Sequence, residues 1–115
     1  MNDFLLELAK TIESRKDKDI EKSYTSFLLS KGSSECLNKF KEESEEFSEA
    51  IKNNSNIVHE SADVIYHFLV TLEASGVKFI DVLKELKKRK DQSGLEEKKN
   101  RVKWRMIKIM FLLKF

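Results

Sequence analysis

The chain contains no proline and only three glycines, Gly32, Gly76 and Gly94. That scarcity of turn formers argues against a sheet fold with many tight turns. Together with 37% charged residues, mostly Lys and Glu, it favours helices joined by short connections. Cys36 is the only cysteine, which excludes an internal disulfide; on an apolar helix face it reads as a small core residue. The net charge is only +2, too little to imply a nucleic-acid partner. No stretch reaches the length of about 18 apolar residues that a membrane span needs. Asp3, Glu7 and Lys10 interrupt the apolar residues at the N-terminus, so no secretory signal is visible and the cytoplasm is the expected compartment. A length of 115 residues predicts one domain with a modest core, a size at which chains often dimerise to bury more surface.

Apolar periodicity divides the chain into about four main helices, an all-α bundle. The first covers residues 2–18 on Phe4, Leu5, Leu8 and Ile12. Residues 23–32 read as a connector with a short apolar turn. A second helix covers residues 34–52. The polar run 53–56 is a turn, with Ser55 or Asn56 as N-cap of the third helix. That helix ends near Ser75, with Gly76 just past its end. A fourth covers residues 80–90, and Ser93-Gly94 breaks the chain before a tail that is free to resume as helix.

Against this background two acidic motifs stand out, Glu42-Glu43-Ser44-Glu45-Glu46 and Glu60-Ser61-Ala62-Asp63. Each holds carboxylates three residues apart, which share a helix face with roughly 5–6 Å between Cβ atoms. On a wheel of about 100° per residue with Glu43 at zero, Glu46 falls at about 300°, Phe47 at about 40° and Cys36 at about 20°. Glu43 and Glu46 thus lie inside the apolar stripe, Glu42 at its edge, and Glu45 and Glu49 on the far side. The next helix is apolar nearly all round, as a central helix would be, with Glu60, Asp63 and His67 on one side. If the two helices pack antiparallel, four carboxylates converge. Runs of Glu are commonly a solvated face, and Lys39 offers the first motif a salt bridge. The second motif, with few other charges around it, is hard to read as solvated. Protons would relieve the repulsion, but a divalent cation does so better at neutral pH. All-oxygen ligands suit magnesium, or manganese, rather than zinc.

Further elements occur in order with these motifs: Ser23-Tyr24-Thr25, Leu28-Leu29, Lys31-Gly32, Tyr66-His67 and Ser93-Gly94-Leu95-Glu96-Glu97-Lys98. Over residues 4–101 the chain resembles the phosphoribosyl-ATP pyrophosphohydrolases, part of the wider MazG-like all-α nucleoside triphosphate pyrophosphohydrolase superfamily. The resemblance implies a homodimer that completes a four-helix core. It implies magnesium-dependent hydrolysis of phosphoribosyl-ATP to phosphoribosyl-AMP and pyrophosphate, in histidine biosynthesis. It carries the metal ligands over to Glu43, Glu46, Glu60 and Asp63, with Glu42 and Glu46 as candidate catalytic carboxylates. Lys41 and Glu35 depart from the family's usual glycine and basic residue, and neither is a proposed ligand. A separate phosphoribosyl-AMP cyclohydrolase is a candidate functional partner.

For substrate contacts the sequence offers Lys31 and Lys39 for phosphate, and the resemblance favours Tyr24 and Tyr66 for stacking on the adenine and His67 as a further substrate contact. Each has a plain alternative: a solvated lysine, a core tyrosine, a packed histidine or one bonded to Asp63. Rival functions are the same chemistry on other nucleoside triphosphates, and a non-catalytic helical bundle. Residues 102–115 have no family counterpart and are read as a basic, apolar extension to a domain of residues 1–101. Packing on the protein is the favoured fate for that tail, ahead of contact with an anionic membrane surface or none.

Overall fold

Helix boundaries in the computed structural model, which describes residues 2–91 and 99–107, follow from local chemistry. The helices are α1 (Asn2–Ser14), α2 (Tyr24–Ser30), α3 (Ser33–Asn53), α4 (Ile57–Ala74) and α5 (Phe79–Lys90), and residues 99–107 are also helical. The described residues contain no strand, so the chain is all-α as expected. None of these helices is long and apolar enough to cross a membrane. The Ser93-Gly94 break, the motif through Lys98 and tail residues 108–115 lie outside the described residues.

Two boundaries differ from the reading of the sequence. α1 stops at Ser14, not residue 18. Arg15, Lys16 and Lys18 instead donate tight i→i−3 bonds of 3.0–3.3 Å, and Asp17 takes φ 59°, which a right-handed helix cannot continue. The expected connector is largely a helix, α2. At seven residues it is too short to stand on propensity alone. Its start is capped by Ser23, whose Oγ accepts from the Ser26 amide at 3.2 Å. Ser26 Oγ in turn donates to the Arg15 carbonyl at 2.7 Å, and Leu28 is buried, so tertiary packing holds the turn in place.

Gly32 opens α3 at φ 90°, a conformation in which glycine carries no Cβ penalty. Between α3 and α4 the reversal uses Asn54 and Asn56 at φ 49° and 57°, the residue type that best tolerates left-handed backbone after glycine. Asn56 is the N-cap of α4, though its side chain makes no capping bond. α4 ends as expected at Gly76, φ 75°. The Gly76 amide donates to the Glu73 carbonyl and the Val77 amide to the Leu72 carbonyl, the paired closure of a Schellman end.

Within the compact unit of residues 1–80, α3 and α4 pack along each other antiparallel. Thr71 late in α4 donates to the carbonyl of Cys36 early in α3 at 3.1 Å, which sets the direction. α1 packs on α4, and α2 on both α3 and α4. The core takes one or two side chains from each: Ile12, Leu28, Cys36, Leu69 and Val70. Burial of Cys36 pushes its thiol pKa up, and its Sγ donates to the Leu28 carbonyl. Val58 and Ile65 of α4, expected to be central, are exposed, as are Leu37 and Ile51 of α3.

The described residues from Asp81 onward belong to a second compact unit. α5 buries no side chain and ends in Lys87, Lys88, Arg89 and Lys90, which suit the negative end of its dipole. The helical residues 99–107 are all exposed, with Val102, Trp104, Met106 and Ile107 among them.

Ile12 anchors α1 at 2% exposure. Ile12→Ala is expected to lower unfolding free energy by about 2–5 kcal/mol in urea denaturation. A loss below about 1 kcal/mol would place the stabilising contacts elsewhere.

Candidate metal centre

The antiparallel pairing sets the acidic middle of α3 against the first turns of α4. Oxygens of Glu43, Glu46 and Glu60 come within 4.8 Å of one another. The ligand atoms of His59, Glu60 and Asp63 do the same, so Glu60 belongs to both groups. The four acids picked out in the sequence are therefore together, graded by depth. Glu43 is innermost, with a side chain 16% exposed. Glu60 and Asp63 are partly covered, and Glu46 is exposed.

Burial raises the Glu43 carboxyl pKa, and Glu46, through charge and a carboxyl–carboxyl hydrogen bond, raises it further, with Asp63 and Glu60 adding to the shift. Glu43 Oε2 and Glu60 Oε2 are buried without any hydrogen-bond partner. An orphaned carboxylate oxygen is costly, and two in one cluster need a shared counter-charge. The nearby Lys39 bonds neither of these two oxygens. It pairs instead with Glu42 at 3.2 Å on the helix surface, and that hydrogen bond raises the lysine pKa. His67 does not provide the counter-charge. Its Nε2 is 3.9 Å from Glu43 Oε1, beyond hydrogen-bond reach, and burial lowers its pKa, so the ring is neutral at pH 7. The donor set, oxygen-rich and preformed on two helices, fits a hard divalent cation.

His67 does not bond Asp63, although one turn separates them. Asp63 Oδ2 faces His59 Nε2 at 3.3 Å, an i,i+4 pair that the sequence reading overlooked although its spacing is visible. His67 instead meets aromatic edges, Tyr66 with ring centres 5.1 Å apart and Tyr24 at 6.5 Å. Tyr66 is half-buried, and its hydroxyl hydrogen-bonds Thr25 Oγ1. Tyr24 is exposed and stacks on Phe27, over which Lys31 Nζ sits 5.0 Å from the ring centre. α2 thus presents an aromatic and cationic surface next to His67. Phe27 was the second residue missed; it lies three positions after Tyr24, on the same face. An open cleft of about 660 Å³ runs along the other side, lined by Glu42, Glu46, Glu49, Asn56 and Glu60 among others. Glu45 and Glu49, expected on the far side, also border it.

Such a site defines a class: an all-α protein with a carboxylate cluster at the junction of two packed helices, able to hold a metal. Comparison with known proteins narrows it. A family model described as phosphoribosyl-ATP pyrophosphohydrolase matches residues 5–90. Proteins named phosphoribosyl-ATP pyrophosphatase are 50% identical in Ruegeria pomeroyi, over 86% of this chain and 96% of the relative, and 44% identical in Dechloromonas aromatica, over 87% and 94%. One from Vesicomyosocius okutanii is 42% identical over 88% of this chain and 98% of its own length. The chain belongs to the phosphoribosyl-ATP pyrophosphohydrolase family.

A raised carboxyl pKa means that folded Glu43 holds its proton more tightly than the unfolded chain does. Its stabilising contribution is present below its ordinary value of 4.5 and is lost as pH rises through the folded value. His67, with a lowered pKa, acts in the opposite sense, so the comparison must isolate Glu43. Without divalent cations, wild type should lose thermal stability relative to Glu43→Gln as pH rises above 4.5. A flat difference between the two melting curves across that range would contradict the assigned cause.

Proposed function

We propose that this chain hydrolyses phosphoribosyl-ATP to phosphoribosyl-AMP and pyrophosphate, a step of histidine biosynthesis, with magnesium held by Glu43, Glu46, Glu60 and Asp63. The supporting observation is the pair of orphaned buried oxygens on Glu43 and Glu60, inside a four-carboxylate cluster of a chain of this family. Manganese would fit the same oxygens.

When bound, the metal neutralises phosphate oxygens and lowers the pKa of water. The chain's own residues supply the rest. Glu46, exposed on the cleft wall, accepts the proton of the attacking water, and Glu42 beside it holds that water in line. Water oxygen bonds to phosphorus, the anhydride bond breaks, and pyrophosphate leaves with the electron pair. Lys39 and Lys31 offer point charges to the phosphates. The exposed Tyr24 ring stacks on the adenine. His67, neutral and buried, packs beneath it, and Tyr66, tied to Thr25, fixes α4 against α2 from behind.

The reading includes a homodimer. Val58 and Ile65 of α4, with Leu37 and Ile51 of α3, are apolar side chains that one chain leaves exposed. A partner covering them completes a four-helix core. Residues 1–101 carry the activity, and 102–115 are an extension. The setting is the cytoplasm, where a separate phosphoribosyl-AMP cyclohydrolase would take the product.

Pyrophosphate release from phosphoribosyl-ATP, with and without magnesium, tests the activity. Release should require the metal. Asp63→Asn, which keeps shape but removes a negative ligand, should lower kcat/KM by about 10²-fold or more. The variant should stay helical and, without metal, should melt no earlier than wild type, because repulsion is relieved. Metal-dependent turnover unchanged in Asp63→Asn would sink the ligand assignment. Sedimentation should show a dimer at micromolar concentration; a stable folded monomer there would refute the assembly.

A further inference from the structure

Glu60 joins two groups of ligand atoms of different chemistry. One is all oxygen, from Glu43, Glu46 and Glu60; the other, of His59, Glu60 and Asp63, includes an imidazole. His59 lies in the first turn of α4, 73% exposed, with Nε2 3.3 Å from Asp63 Oδ2. An exposed pair of this kind is ordinarily a weak surface contact. This one borders the cluster, because its neighbour Glu60 carries an orphaned buried oxygen and Asp63 adds to the field on Glu43. The spacing also suits coordination. Octahedral bonds of about 2.1 Å put adjacent ligand atoms about 3 Å apart, close to the separation observed.

Resting on the metal reading of the four carboxylates, we infer that His59 Nε2 ligates a cation held between Glu60 and Asp63 and biases that position toward manganese-type ions over magnesium. Magnesium is a hard ion that prefers oxygen and water and gains little from an imidazole. First-row divalent ions bind a given mixed nitrogen and oxygen site with affinity rising from manganese through iron to cobalt. His59 lies just outside the two acidic motifs, so it adds a selectivity element to a site that those motifs alone would leave all-oxygen.

Calorimetric titration of the full chain with Mn²⁺ and with Mg²⁺ tests this, for wild type and His59→Ala, alongside pulsed EPR of the manganese-loaded protein. His59→Ala should weaken Mn²⁺ binding by at least about tenfold and change Mg²⁺ binding by less than about twofold. Wild type should show imidazole nitrogen coupling to manganese, and His59→Ala should lose it. His59 is exposed, so the variant should keep its helical circular dichroism. Equal weakening for both ions overturns the selectivity. Nitrogen coupling that persists in His59→Ala assigns the ligand to His67 and overturns the inference. Manganese binding by wild type without nitrogen coupling overturns it too, while leaving the carboxylate site standing. Failure of wild type to bind either ion removes both readings.

Discussion

Repulsion among carboxylates that α3 and α4 press together is the constraint around which the site is arranged. Packing of the two helices brings Glu43, Glu46 and Glu60 within 4.8 Å, and burial raises the Glu43 pKa. Among the described residues the four acids face two histidines, with His59 Nε2 3.3 Å from Asp63 and His67 Nε2 3.9 Å from Glu43. One of those rings is kept neutral by its own burial. The helix pair therefore stores an unfavourable charge arrangement that a bound cation would relieve. Stability and ligand binding are coupled through the same few oxygens, and the stable core formed by Ile12, Leu28, Cys36, Leu69 and Val70 holds them together.

α2 plays a larger part than its seven residues suggest. Ser23 caps its start, Ser26 ties it to the Arg15 carbonyl just past α1, and Leu28 seats it in the core. Tyr24, Phe27 and Lys31 then stand on its outer side, and Thr25 reaches Tyr66 on α4. A short helix fixed at both ends holds an aromatic surface beside the charged one. The two surfaces meet at His67, which touches Tyr24 and Tyr66 and approaches Glu43.

Charge is divided along the chain as well. Residues 1–80 hold ten Lys and Arg against fifteen Asp and Glu, while residues 81–115 hold twelve against five. The acidic unit contains the cluster. The basic unit has no buried residue in α5 and exposes Trp104 among its arginines. A net charge of +2 hides this division, so composition alone understates how polarised the protein is.

What the sequence determined by itself was periodic and local. Three-residue spacing within each acidic motif put the carboxylates on shared faces, Gly76 ended α4, and the missing prolines let long helices run. The same spacing identified Glu43, Glu46, Glu60 and Asp63 before any fold was considered. Tertiary structure decided what depends on neighbours. Residues 24–30 became helix because Ser26 and Leu28 are buried there, which no propensity of so short a run dictates. Asp63 found His59 and not His67, since both histidines lie one turn away and only packing drew His67 into the aromatic contacts. Lys39 made its salt bridge with Glu42 rather than with Glu43, and Val58 and Ile65 of an apolar helix stayed at the surface. Helix geometry fixes which residues share a face, but depth of burial and choice of partner arise only when faces from distant parts of the chain meet.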